Sequence, residues 1–227
     1  MRIVFLGDSL TAGTLGAGYV DRVAAALPHV TCINAGVTGD TTLNLLRRLP
    51  ADVQPHVPDG VFVMTGINDA VSAAQGHGWP LYFREKKDVP GGQVSLGAFS
   101  RYFFDLLEAL KGMARRVWAV LPPLESTHVV VETLRRYNAE AARIAGELGV
   151  PTLDLMAVLT PAHVPDRPPI FLPANLADQL DYEQGGRVYD MGQEGVYTYT
   201  FDGVHLTEAG AERVANEIVA FLRAQGV

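Results

Sequence analysis

The feature that most constrains this chain is an alternation: short unbroken apolar runs, rich in β-branched residues, take turns with stretches whose apolar positions repeat at helical spacing. Residues 2–7 (RIVFLG), 30–35, 60–65 (GVFVMT), 116–121 (RVWAVL) and 150–153 read as five strands, and runs of this kind suit strands buried on both faces. Between them Tyr19, Val20, Val23 and Leu27 fall on one helical face, as do Leu134, Tyr137, Ala141, Ile144, Ala145 and Leu148, with Gly149 supplying a left-handed stop. A last helix carries Ala211, Val214, Ala215, Ile218 and Leu222 on one face, with Thr207 as its N-cap and Gly226 just past its end. This pattern predicts an α/β fold, a parallel sheet wrapped by helices. At 227 residues the chain is long enough for one sizeable core, so the expectation is a single domain over 1–227.

Two stretches break the rhythm and predict long loops after strands three and five: residues 71–95, and residues 157–200 with Pro161, Pro165, Pro168, Pro169 and Pro173. The second also holds Phe171, Tyr182, Tyr189, Tyr197 and Tyr199, with Phe201 just beyond it, too aromatic for a slack linker. Both are expected to fold over the sheet edge where a ligand would bind.

Charge narrows the partners. A formal net charge of −7 argues against nucleic acid, because binding a polyanion depends on clustered Lys and Arg that displace counterions. The densest basic spots are the pairs Arg47-Arg48, Lys86-Lys87, Arg115-Arg116 and Arg135-Arg136, which read as solvated helix faces. No apolar run is long enough to span a bilayer or to serve as a secretory signal, so the expected location is cytoplasmic, although a leader already removed would leave no trace. The one cysteine, Cys32, cannot form an internal disulfide and reads as a small buried hydrophobe. The six histidines, His29, His56, His77, His128, His163 and His205, lack paired zinc-type ligand spacing, so neither a metal nor another cofactor is expected.

Four segments carry the chemistry. GDSLTAG follows strand one, so Ser9 lies at a carboxyl strand end, where parallel α/β sheets place ligands; helix capping by Asp8 or Ser9 is the plainer alternative. In NAGVTGDTT, residues 34–42, Gly39 can turn its amide outward toward an anion while Asp40 or Thr41 caps the next helix. In TGIND, residues 65–69, Asn68 offers an amide donor that stays neutral at every pH, against an Asx-turn as the alternative, and Asp69 reads as structural. In FDGVHL, residues 201–206, Asp202 and His205 are three apart, so one turn lets the carboxylate accept from Nδ1 and leaves Nε2 to face a serine. A serine hydroxyl needs a base, the base needs a fixed tautomer, and a tetrahedral intermediate needs preorganised donors. Ser9, His205 and Asp202, with Gly39, Asn68 and the Ser9 amide as oxyanion donors, fill every role.

In order and spacing these segments resemble the consensus blocks of the SGNH, or GDSL-type, hydrolase family of esterases and lipases: Gly7 to Leu10, Asn34 to Thr42, Gly66 with Asn68 and Asp69, and Asp202, Gly203 and His205. The resemblance implies a flavodoxin-like three-layer α/β/α sandwich whose five-stranded parallel sheet runs 2-1-3-4-5. It implies that Gly39 is the oxyanion donor of its block, which leaves Gly36 for the tight turn. It implies a serine that does not sit on a G-x-S-x-G elbow, and no segment here fits one. The two long loops exceed those of the family's compact thioesterase-like members, so the resemblance bears on reaction type more than on substrate.

The expected function is hydrolysis of carboxylic esters through an acyl-enzyme on Ser9, with a small-molecule ester as partner and small or short-chain acyl groups, acetylated carbohydrates among them, as substrates. Longer acyl chains, as in a lysophospholipase or thioesterase, are the alternative. A noncatalytic binding module on the same fold predicts decay of the reactive set, yet every member is present. Nucleotide binding lacks both a GxxxxGK[ST] segment and a clean G-x-G-x-x-G after strand one. Oligomeric state is not written in the sequence.

Overall fold

The computed structural model describes residues 1–76, 79–160 and 197–227. Strands β1 (Arg2–Gly7), β2 (Thr31–Gly36), β3 (Gly60–Met64), β4 (Arg116–Leu121) and β5 (Thr152–Asp154) form one sheet in the order β2-β1-β3-β4-β5. Every pairing is parallel, with Ile3 opposite Cys32 and Gly60, and Gly60 opposite Arg116. This is the flavodoxin-like order that the sequence resemblance implies.

Apart from Arg2 and Arg116 at their amino ends, the three inner strands are apolar because both faces are covered. Ile3, Val4, Phe5 and Leu6 of β1 are fully buried, as are Val61, Phe62 and Val63 of β3, and Phe5 meets Phe62 with ring centroids 5.2 Å apart. Burial on both faces does not extend to the two edge strands. In β2 (TCINAG) Thr31 and Asn34 are exposed, and β5 is half-exposed, because an edge strand has a neighbour on one side only. Cys32 on β2 is accordingly half-buried rather than fully enclosed.

Nine helices surround the sheet among the described residues: α1 (Ser9–Ala12), α2 (Val20–Ala26), α3 (Thr42–Asp52), α4 (Ile67–Ala74), α5 (Trp79–Lys87), α6 (Leu96–Met113), α7 (His128–Glu147), α8 (Leu155–Leu159) and α9 (Glu208–Ala224). The last packs on α2, while α6 packs on both α3 and α7. Side-chain oxygens begin the long helices: Ser95 accepts from Ala98 N, Thr127 from Val130 N, and Thr207 from Gly210 N, the cap expected for the final helix. No helix among the described residues is long and apolar enough to cross a membrane.

Residues 71–95 are a finding that the sequence pattern hid. They hold the end of α4, the whole of α5 and a short 3-10 turn at Pro90–Gly92, instead of one extended loop. The segment WPLYFREKK lacks a regular apolar stripe; its helix is secured by an aromatic cluster in which Trp79 stacks on Phe83 at 5.8 Å and Tyr82 meets both rings edge-on. In the second expected loop, α8 continues to Leu159, and residues 161–196, with Phe171, Tyr182 and Tyr189, lie outside the described residues.

Candidate active site

The carboxyl ends of β1, β2 and β3 converge on one edge of the sheet. Asp8 follows β1 and caps α1, its Oδ1 accepting from Leu10 N at 3.0 Å, which makes Ser9 the first residue of that helix. Capping by Asp8 and the contact of Ser9 with another side chain are therefore not rivals here, since the Asp8 cap sets the orientation of Ser9. Gly36 has a different task from the tight turn expected of it. It ends β2 without a positive φ, and a Cβ there would overlap the backbone of Thr11 and Ala12, so glycine is required for the close approach of α1 to β2.

The chain's two ends meet at Ser9. His205 Nε2 lies 3.0 Å from Ser9 Oγ, and His205 Nδ1 lies 2.6 Å from Asp202 Oδ2. The other carboxylate oxygen, Oδ1, accepts the N–H of Val204 at 2.9 Å and that of His205 at 2.7 Å. Burial alone would raise the Asp202 pKa, but the charge of His205, the His205 hydrogen bonds and the Val204 N–H outweigh it, and the net shift is downward. An ionised carboxylate only accepts, so Nδ1 carries the imidazole proton and Nε2 is left to accept from the Ser9 hydroxyl. Phe201 stacks on the imidazole with centroids 6.0 Å apart.

Asn68, in the first turn of α4, stands across from Ser9's helix. Its Nδ2 donates to the Asp40 carbonyl at 3.0 Å and lies 3.5 Å from Asp8 Oδ2, so the amide already points into the space between the β1 and β2 loops. Gly39 adopts φ +78°, a left-handed conformation that favours glycine, and a Cβ there would overlap the Tyr82 hydroxyl of α5. Thr41 caps α3: the Asn44 side-chain oxygen accepts from the Thr41 N–H at 3.0 Å and from its hydroxyl at 2.8 Å. The four segments singled out in the sequence are thus brought together: Ser9 meets His205, His205 meets Asp202, and Gly39 on the loop after β2 and Asn68 in the first turn of α4 lie beside them.

Beneath them lie two buried carboxyls. Asp69 accepts from the Thr42 N–H and from its hydroxyl, tying the start of α3 to α4, and burial pushes its pKa up to about 7 despite those bonds. Burial likewise pushes Asp8 up to about 6, against the pull of the Leu10 N–H and the charge of His205. The structural reading of Asp69 matches this position.

Two basic residues have a different place from the solvated one expected of their pairs. Arg48 is only 14% exposed: its Nε donates to Asp40 Oδ2 at 2.8 Å, one terminal nitrogen to Asp52 at 2.6 Å, and the other to the Gly7 carbonyl at 2.8 Å. Lys87, also 14% exposed, donates to the other Asp40 oxygen at 2.9 Å. Together they lock the Gly39-Asp40 loop to the end of β1 and to α5. Glu125, in the loop after β4, is not among the residues singled out in the sequence at all; its fully buried carboxylate faces residues 198–200. Its only signal in the sequence is a charged residue directly after the apolar run VLPPL.

Among the described residues, no group of three or more His, Cys, Asp or Glu is placed to hold a metal ion. A cavity of about 390 Å³ lined by Lys111, Arg116, Trp118, Gly149 and Gln225 lies at the amino ends of β4 and β5, on the far edge of the sheet from Ser9.

Similarity to known proteins points the same way. An acetylxylan esterase of Geobacillus stearothermophilus is 35% identical over 86 residues, covering 30% of this chain and 39% of its own length. An arylesterase of Vibrio mimicus is 38% identical over 77 residues, 31% of this chain and 38% of its own. The alignments thus span well under half of these relatives. Among solved structures, a lipase/acylhydrolase from Enterococcus faecalis superposes with TM-score 0.67 at 21% identity, covering 99% of this chain and 96% of its own, which shows a shared fold. The model of the GDSL-like lipase/acylhydrolase family matches residues 5–213, a span running from inside β1 into α9 and taking in all four segments around Ser9, and the chain accordingly belongs to that family.

Proposed function

We propose that this protein is a serine esterase that hydrolyses small or short-chain carboxylic esters, with Ser9 as nucleophile, His205 as general base and acid, and Asp202 orienting His205. The observation that carries this reading is the unbroken line of contacts from Asp202 Oδ2 through the imidazole to Ser9 Oγ, 2.6 Å and 3.0 Å long. His205 Nε2 takes the Ser9 proton as Oγ attacks the ester carbonyl carbon. The carbonyl oxygen becomes an oxyanion facing the Ser9 and Gly39 N–H groups and the Asn68 amide. As the intermediate collapses, the leaving alkoxide receives the proton from His205 and the acyl group stays on Ser9. Water, deprotonated by His205, then attacks the acyl-enzyme, and Ser9 leaves with the returned proton.

The preference for short acyl groups draws on the acetylxylan esterase and arylesterase among the relatives. The rival, long-chain reading draws on a similarity of 35% over 82 residues to the thioesterase 1/protease 1/lysophospholipase L1 of Escherichia coli. Labelling with a fluorophosphonate probe and mapping the modified residue tests the nucleophile without a guess at the natural ester. Ser9→Ala is expected to abolish labelling and to lower turnover by roughly four to six orders of magnitude. Near-wild-type esterase activity in that variant overturns the reading. A series of aryl esters tests the acyl preference, and activity that climbs beyond about eight carbons would favour the long-chain alternative, in which an apolar trough takes up the chain.

A further inference from the structure

We infer that Glu125 is a positioning residue for His205. The inference rests on reading Ser9, His205 and Asp202 as the catalytic set, and it concerns what holds the base in place rather than what reacts.

The Asp202–His205 turn belongs to a short return segment without regular secondary structure of its own. A single antiparallel bridge pairs Thr200 with Leu206, and Phe201 N donates to the His205 carbonyl at 3.0 Å. The segment is tied further by Thr207 N to the Tyr199 carbonyl at 3.1 Å and by Ala17 N to the Leu206 carbonyl at 2.9 Å, and what holds its other side decides how well the imidazole stays within reach of Ser9.

Glu125 is in position to hold that other side. It lies between β4 and α7, on the same sheet edge as Ser9, and its residue is fully buried. Its carboxylate accepts from donors on three successive residues: the N–H groups of Thr198 at 2.9 Å, Tyr199 at 3.0 Å and Thr200 at 3.1 Å, the Thr200 hydroxyl at 2.8 Å, and the Thr198 hydroxyl. Consecutive N–H groups aimed at one anion form a concave nest that fixes the backbone carrying them. The main chain of Glu125 grips the turn as well, since its N–H donates at 3.0 Å to the carbonyl of Gly203, between Asp202 and His205. Tyr199 is held further by its hydroxyl, 3.1 Å from Thr160 Oγ1, and Thr160 Oγ1 accepts from Leu124 N at 3.1 Å. The residue before Glu125 and the segment it grips thus share a second tie. The loop after β4 is thus connected to both sides of the His205 turn, through the Glu125 carboxylate to residues 198–200 and through the Glu125 N–H to Gly203.

The chemistry requires an acceptor-only group at this position. A neutral glutamine amide keeps one acceptor oxygen, which in the place of Oε2 still reaches the N–H groups of Thr198, Tyr199 and Thr200, but its NH₂ in the place of Oε1 then faces the Thr198 N–H, 2.9 Å away, donor against donor. The 198–200 backbone must then shift, and the turn that follows it shifts with it.

The test is Glu125→Gln, assayed on an aryl acetate well below its melting temperature, with rates normalised to sites titrated by a fluorophosphonate. The expected result is a fall in kcat of roughly 10- to 100-fold with KM within about threefold, because misplacing a catalytic group by an ångström has an effect of that size. Glu125→Asp, which keeps both acceptor oxygens, is expected to recover part of the loss. A variant that melts earlier yet turns over at the wild-type rate per titrated site overturns the inference and leaves Glu125 a purely structural residue. If Glu125→Gln does not fold, Thr198→Val and Thr200→Val remove single hydroxyl donors without touching the carboxylate. Each is then expected to lower kcat several-fold at constant KM, and wild-type turnover in both overturns the inference. Labelling of the wild-type protein at Ser9 in the same experiment separates the two levels: if Ser9 labels and the variants are unaffected, only the role of Glu125 fails.

Discussion

Asp202 holds His205 at two points at once, its Oδ2 2.6 Å from the imidazole Nδ1 and its Oδ1 accepting the N–H of the same residue at 2.7 Å. One carboxylate therefore fixes both the ring's tautomer and the backbone from which the ring projects. Asp202→Asn separates these tasks. The amide oxygen can keep the bonds to the Val204 and His205 N–H groups, which leaves the NH₂ facing Nδ1. That arrangement favours a proton on Nε2, the nitrogen opposite Ser9, where a base must be empty. The expected outcome is a loss in kcat on the order of 10²- to 10⁴-fold with little change in melting temperature. Turnover within a few-fold of wild type would reduce Asp202 to a group that shapes the turn.

On the proposed mechanism, Asn68→Ala removes a neutral donor from the oxyanion side of Ser9. In the resting protein its Nδ2 is engaged with the Asp40 carbonyl at 3.0 Å, so binding of a ground-state ester gains little from it and the developing negative oxygen gains more. The expected loss is about 10²- to 10³-fold in kcat, equivalent to roughly 3 kcal/mol, with KM nearly unchanged. Asn68→Asp is expected to be worse than Asn68→Ala, because it adds a carboxylate beside Asp8, 3.5 Å from the present amide nitrogen. Steady-state kinetics on one aryl ester checks both, and an equal rise in KM with unaltered kcat would reassign Asn68 to substrate binding.

How much of this could be read from residues alone follows the physics of each part. The inner strands were legible because β1, β3 and β4 are buried on both faces and their sequences say so without interruption. Edge strand β2 kept its place in the sequence, but its exposure depends on which strands lie beside it. Helix α5 was not legible, because its stability comes from Trp79, Tyr82 and Phe83 packing together rather than from an apolar stripe. At the site, Ser9, Gly39, Asn68, Asp202 and His205 could be picked out because each lies in a short segment whose residue types suit one chemical role. Arg48, Lys87 and Glu125 could not. Their partners are Asp40, Gly7 and residues 198–200, distant in sequence, and a charged side chain alone does not reveal whether it meets water or a buried counterpart.

The buried carboxyl of Asp69 makes a claim on stability. Its pKa is pushed up to about 7, above the ordinary carboxylate value of an unfolded chain, so the folded state holds its proton over a range in which the unfolded state has lost it. Where the folded state binds more protons, stability falls as pH rises. The contribution is therefore complete below about pH 4 and is lost as pH climbs toward about 7. Asp69→Asn keeps an oxygen for the Thr42 N–H and cannot ionise. Whatever constant difference the substitution brings, the gap between wild type and variant is expected to shift in the variant's favour across that window. Urea denaturation at several pH values checks it, and parallel curves from pH 4 to 7 would contradict it.

Gly39 and Tyr82 make a separable pair. Placing a Cβ at φ +78° carries a conformational cost of roughly 1 to 2 kcal/mol, and the same Cβ would overlap the Tyr82 hydroxyl, with Lys87 Cε 2.8 Å away. The lysine stem can move, whereas Tyr82 is fixed in the aromatic cluster of α5. Gly39→Ala should therefore lower the melting temperature and, on the proposed mechanism in which the 39 amide donates to the oxyanion, lower kcat by about one to two orders of magnitude. Tyr82→Phe removes the clashing oxygen alone. On the wild-type background it should be close to neutral in stability; on the Gly39→Ala background it should restore the larger steric part of the loss, leaving the tighter contact with the ring carbon Cζ at 3.2 Å and the conformational part. A double-mutant cycle in which the two substitutions simply add would mean that the hydroxyl does not meet the new methyl group, and that α5 stands farther from the oxyanion loop in solution than the packing of Tyr82 over Gly39 requires.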